Sequence, residues 1–120
     1  MEKYRRVKAD KARLLYKARN FSQAEKTALE LLETNYTSEM AYYVMLSRLS
    51  EADYDNAIIY AQLIKNNKDK SAAEPYYAAL YYEALAYLKS GRMELANQSF
   101  EFALSELRIG SIKEPGRVNI

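Results

Sequence analysis

The stretch YYAALYYEALAYLKSGRMELANQSFEFALSEL, Tyr76–Leu107, confines what the chain can fold into more than any other segment. Its spacing predicts two amphipathic helices joined by one tight turn. Small residues stand where the two helices must touch, Ala84 in the first and Ala96 and Ala103 in the second. Gly91 sits where the first helix should stop, because glycine enters the left-handed C-cap conformation without steric cost. Tyr87 and Phe100 fill the space the alanines leave. Moved back along the chain, the same template fits twice more, so the sequence reads as three helical hairpins in series.

The length of 120 residues suits one domain, residues 1–109, with units at about 4–36, 37–70 and 71–109 and an irregular tail at 110–120. The first helix should run from about Glu2 to Ala18, with Tyr4, Val7, Leu14, Leu15 and Ala18 as its apolar stripe. Ser22 is placed to cap the second, which carries Ala24, Ala28, Leu29, Leu31 and Leu32 and ends near Glu33. Thr37 or Ser38 caps the third, about Glu39 to Leu49, which is apolar on several faces and so should be packed on several sides. Asp53 can cap the fourth, with Ala57, Ile58, Ala61 and Ile64, which fades in the polar run Lys65–Lys70. Ser71 and Glu74 have capping-box spacing, and Pro75 falls in the first turn of the fifth helix, where a missing N–H is tolerated. That helix should reach about Lys89, and the sixth should run from Met93 to about Ile109. No stretch alternates long enough for a strand, so the fold class is all-α, with about six helices.

Ala24, Ala57 and Ala96 are separated by 33 and 39 residues. A period in the thirties built from helix pairs is the mark of a helical repeat. On these residues the chain resembles the tetratricopeptide repeat family. Leu80, Ala84, Tyr87, Gly91, Ala96, Phe100 and Ala103 follow the family's pattern in step in the third unit. In the second, Ala52–Ile58 is similar to the family's passage from turn into second helix, and Ala12, Leu15, Phe21, Ala24, Ala28 and Leu31 match in the first. Glu83 stands where the third unit usually has an apolar residue, and Met45 and Arg48 replace small and aromatic residues in the second. The resemblance implies a right-handed superhelical solenoid of antiparallel helix pairs, whose first helices line a concave face that binds extended peptides.

Several chemistries are excluded by composition. The chain has no His and no Cys, which removes the commonest general base, thiolate chemistry and the two common soft metal ligands. Three scattered glycines build no phosphate loop. Glu51, Asp53 and Asp55 have a carboxylate spacing reminiscent of a calcium loop but lack its turn glycine and terminal Glu, so they read as the cap of a helix start. Glu101 and Glu106 read as surface charges. No enzyme, metal or cofactor is expected. The N-terminus lacks the apolar segment of a secretory signal, and no run reaches the ~20 residues of a membrane span. If Met1 is the natural start, a cytoplasmic protein is expected.

Function should therefore lie in surfaces. Residues 1–26 carry nine Lys/Arg against three Asp/Glu, and the remainder nine against thirteen, so the N-terminal end is basic. Helical spacing places Arg6, Ala9, Arg13 and Lys17 of the first helix on the groove. Tyr42, Leu46 and Leu49 of the third join them, with Tyr81, Leu85 and Lys89 of the fifth. Tyrosine suits such a surface, offering apolar area, a polar tip and little rotamer entropy to lose. Half of each adjacent pair, Tyr42–Tyr43, Tyr76–Tyr77 and Tyr81–Tyr82, must nevertheless point inward. The carboxylate clamp of one family subset is not reproduced, since Ala9, Arg13, Tyr43, Ala78 and Tyr82 stand at its places. The sixth helix has one apolar stripe at Ala96, Phe100, Ala103 and Leu107 for its neighbour. A second, Leu95, Phe102 and Ile109, predicts self-association or a missing helix.

The leading expectation is a non-enzymatic scaffold that binds a protein or peptide segment in a Tyr-rich, partly basic groove and forms a homo-oligomer through its last helix. Two alternatives accompany it. LKSGRMELA also resembles the pentatricopeptide family, which reads single-stranded RNA, although polar base-reading residues do not recur. The stack could also serve as a dimerisation arm of a larger regulator.

Overall fold

The computed structural model describes residues 2–67 and 73–113, the last four as backbone only. Six helices follow one another: α1 Glu2–Lys17, α2 Phe21–Leu32, α3 Ser38–Ser50, α4 Tyr54–Asn67, α5 Ala73–Lys89 and α6 Met93–Lys113. The described residues contain no strand. None of their helices is long and apolar enough to cross a membrane. The result is a helical repeat-like fold.

The turns within the three hairpins share one backbone design. Gly91 has φ 83°, Arg19 φ 63° and Ala52 φ 60°. At each turn two amides close back on the preceding helix: Gly91 on Leu88 and Arg92 on Tyr87, Arg19 on Tyr16 and Asn20 on Leu15, Ala52 on Leu49 and Asp53 on Arg48. This is the Schellman arrangement, which satisfies carbonyls that the helix end leaves open. The turn residues lie five positions before Ala24, Ala57 and Ala96, so the repeat seen in the alanines is a repeat of backbone geometry. Two of the three positions are filled by residues with a Cβ, at a strain of about 1 kcal/mol each.

Caps follow from these turns. Asn20, not Ser22, caps α2 by accepting from the Gln23 amide at 3.4 Å, because the left-handed Arg19 turns the chain two residues earlier. Thr37 caps α3 through the Met40 amide at 3.3 Å. Asp53 accepts from both the amide and the side-chain nitrogen of Asn56 at the start of α4. Pro75 lies in the first turn of α5, while the expected Ser71 cap lies outside the described residues. α6 continues to Lys113, into the segment read as irregular. One interior glycine, Gly110, costs about 1 kcal/mol and does not by itself end a helix. The rest of that tail, 114–120, lies outside the described residues.

Each helix packs on the next in chain order, and α3 also touches α1 and α5; among the described residues the backbones of α2 and α4 do not come together, and α4 approaches α6 through the Lys65 ammonium beside the Phe102 ring. α3 is thus surrounded, and Met40 through Met45 are all buried in it. They form the main core with Ala12, Ala28, Leu31, Ala57, Ala61, Ile64 and Ala79. A second, smaller cluster of Tyr76, Leu80 and Ala103 joins α5 to α6. At the N-terminal end, the predicted stripe of α1 is turned outward: Val7 is 68% and Leu14 67% exposed, with Tyr4 exposed as well, and the buried residue is Ala12. Among the described residues only α2 and α3 reach α1, and none of them packs on its opposite side.

Two of the three residues that stood out in the repeat comparison, Glu83 and Arg48, belong to buried ion pairs between hairpins. Glu83, 3% exposed on α5, accepts from Lys65 at 2.7 Å and Gln62 at 3.1 Å on α4. Arg48 on α3 meets the buried Glu25 of α2 at 2.5 Å, and Ser47 donates to the same carboxylate at 2.6 Å. A buried carboxylate left unpaired would be expensive, and each is supplied with a cation from the adjoining helix pair.

Candidate functional site

A cleft of about 330 Å³ opens where the ends of α1 and α2 meet α3 and α5, lined by Tyr16, Lys17, Arg19, Phe21, Tyr42, Leu46 and Tyr82. Its wall is aromatic. The Tyr16 ring stacks on Tyr43 at 4.7 Å and tilts against Tyr42 at 5.8 Å and Phe21 at 6.1 Å. The Tyr16 and Tyr42 hydroxyls are 3.3 Å apart. Burial, and then the bond to Tyr16, pushes the Tyr42 phenol well above its ordinary value, so it stays protonated at neutral pH. Leu46 follows Tyr42 by one turn of α3, and Tyr82 of α5 packs on the same core from the far side.

Two cations stand at the rim. Lys17 is the last residue of α1, and Arg19 is the left-handed residue of the turn that follows. Neither makes a salt bridge or side-chain hydrogen bond among the described residues. The backbone geometry there suits glycine, yet the chain carries an arginine, and that residue lines the cleft. Aromatic and aliphatic walls with two uncommitted cations at the mouth fit an anionic group attached to an apolar body.

Three of the groove residues expected from sequence, Lys17, Tyr42 and Leu46, come together here. Tyr42 is only 7% exposed, so it is part of the core as well as the wall. Arg13 is engaged elsewhere: its guanidinium donates to Glu39 at 2.6 and 2.8 Å and to Asp10 at 2.5 Å. The Tyr43 hydroxyl donates to the same Glu39 at 2.6 Å, and Arg13 above all holds that carboxyl below its ordinary range. Arg6 lines a separate depression with Arg5 and Ala9, near Glu39. Tyr81 is exposed and turned toward α6, its ring 6.4 Å from Phe100, and the residue next to it, Tyr82, takes the place at the cleft. Leu85, half-buried, and the exposed Lys89 are not among the cleft residues.

Sequence spacing alone missed Tyr16, Arg19, Phe21 and Tyr82. The signal for Arg19 was present: it stands 33 residues before Ala52 and in the register of Gly91, which marks it as a turn residue. On α6, Leu95, Phe102 and Ile109 are all exposed, and the Lys65 ammonium lies 5.3 Å from the centre of the Phe102 ring. Ala96 and Ala103 are buried as expected, whereas Leu107 is exposed. Compared with family models, curated proteins and solved structures, the sequence finds no match in any of the three.

Proposed function

We propose that the chain is a non-enzymatic binding module: a tetratricopeptide-like, right-handed solenoid whose first helices grip a protein segment in the Tyr16–Tyr42–Tyr82 cleft. The observation that carries this reading is the pair of uncommitted cations, Lys17 and Arg19, at the mouth of an aromatic cleft. The common turn geometry at Arg19, Ala52 and Gly91 supports the repeat on which it rests. So do the contacts of α1 with α3 and α3 with α5, the helices that would line a concave face. The segment that fits has an acidic side chain or terminal carboxylate beside an aromatic or aliphatic residue. The carboxylate meets Lys17 and Arg19, and the apolar group lies against Tyr16, Tyr82 and Leu46.

Selection from a random peptide library tests this. Enriched peptides should share an acidic residue next to an apolar one, and Lys17→Glu should abolish the enrichment without lowering the melting temperature. Enrichment with no acidic preference would refute the carboxylate reading. Binding of single-stranded RNA instead, with steep salt dependence, would replace it by the nucleic-acid reading.

A further inference from the structure

The three turn residues, Arg19, Ala52 and Gly91, give α1, α3 and α5 a common register. Twelve, eight and five residues before the turn, α3 carries Met40, Val44 and Ser47, and α5 carries Ala79, Glu83 and Ala86. All six are at most 3% exposed. What meets this side of α3 and α5 is the preceding helix, as the Glu25–Ser47 and Gln62–Glu83 bonds show. The same three positions of α1 are Val7, Lys11 and Leu14, and all are exposed. They border an almost wholly apolar depression together with Asp10 and Leu15. The first helix thus offers the face that its equivalents bury against a helix of the α2/α4 type.

The last described helix, α6, is of that type. Counted from the turn, Glu25 of α2 corresponds to Ile58 of α4 and Asn97 of α6, Leu29 to Gln62 and Glu101, and Leu32 to Lys65 and Leu104. These positions are buried or half-buried in α2 and α4 but exposed in α6. We infer that α6 of one copy packs on α1 of a second copy, head to tail, as α2 packs on α3 and α4 on α5. This goes beyond the peptide cleft but rests on the same repeat register.

Charge chooses the second copy as occupant. At the α4–α5 junction Gln62 bonds to Glu83. Transferred in register to the new junction, Glu101 lies opposite Lys11 of the second copy, a complementary pair, and Leu104 reaches the apolar depression at Val7 and Leu14. Lys11 makes no ion pair among the described residues, and neither does Glu101. The basic balance of residues 1–26 against the acidic balance of the rest adds a long-range attraction of the same sense. Because the two faces differ, the contact is heterologous and propagates rather than closing as a dimer.

Sedimentation over a concentration series tests the inference. The wild-type weight-average mass should rise continuously without a plateau at the dimer. Lys11→Glu and Glu101→Lys should each weaken association by about tenfold or more through like-charge contact, with unchanged melting temperature. Mixing the two variants should restore association, since each supplies the charge the other lacks. Leu14→Glu should abolish association by itself. A wild-type protein that stays monomeric throughout overturns the inference and leaves the α1 face to a helix of another protein. Association that ignores both charge reversals but disappears with Phe102→Ser also overturns it, in favour of a symmetric contact through Leu95, Phe102 and Ile109. Peptide binding in the cleft is read separately, so either result leaves that proposal standing or falling on its own data.

Discussion

The two interior junctions between hairpins solve one problem with opposite polarity. Between α2 and α3 the buried acid, Glu25, belongs to the earlier helix and its cation, Arg48, to the later one. Between α4 and α5 the acid, Glu83, is on the later helix and its cation, Lys65, on the earlier. A junction made with the wrong partner would therefore leave a buried carboxylate without its cation. The difference teaches that alanines make these helices fit generally, while the ion pairs make each contact specific. The junctions differ in depth as well. The Glu83 side chain is almost fully enclosed and has only Lys65 and Gln62, whereas Glu25 is more open and is met by Arg48 and Ser47.

Breaking the deeper junction should have the largest effect. Lys65→Met leaves Glu83 with a single amide donor in a buried site, and a loss of about 3 kcal/mol in denaturant unfolding is expected. Adding Glu83→Met should recover most of it, since a well-packed apolar pair often replaces a buried ion pair at no cost. Arg48→Met should lose less, about 1–2 kcal/mol, because Ser47 remains and Arg48 is about one-third exposed, so solvent already screens the pair. Similar losses at the two junctions would show that depth does not govern them.

The turns sharpen the same contrast between what is general and what is particular. Gly91 uses a conformation that suits it, and a Cβ there would meet no atom within 4 Å. Gly91→Ala should therefore destabilise by backbone strain alone, about 1 kcal/mol, and Ala52→Gly should stabilise by a similar amount. Thermal unfolding of the two variants reads both signs. The smallest expected effect is at the Arg13–Glu39 link between α1 and α3. The folded Glu39 carboxyl is held low, so its contribution is fully present above the unfolded carboxylate value, about 4.3. It is lost as pH falls through the depressed folded value. The melting temperature of the wild type should fall toward that of Glu39→Gln over that acid range, and the gap between the two should be constant at neutral pH.

Helix order and repeat period were legible in the sequence, because glycine, small residues and apolar spacing act locally. Which side of each helix is covered was less so. The stripe of Val7 and Leu14 has the spacing of a core face, yet it is exposed because no helix among the described residues lies on that side. Glu83 and Arg48 looked like lapses from the pattern, since their partners lie 18 and 23 residues away on other helices. At the cleft, Tyr42 and Leu46 followed from α3 being central. Tyr82 in place of Tyr81 did not, because one position turns a side chain by about 100° and the packing of α5 on both α3 and α6 sets that rotation. Arg19 was missed because a charged residue in a glycine's place is invisible to propensity, although the register marks it.

Arg19 also gives the most direct test of the binding account, because there function and stability should part. Glycine fits the backbone at that turn better than arginine but removes a cation from the cleft. The measurement is the affinity of one selected acidic peptide for wild type and for Arg19→Gly, with the melting temperature of each. An unchanged or higher melting temperature with affinity weaker by about tenfold or more is expected, the scale of a hydrogen bond to a charged group. Equal affinity for the two proteins would contradict the claim that this cleft grips its ligand through Arg19.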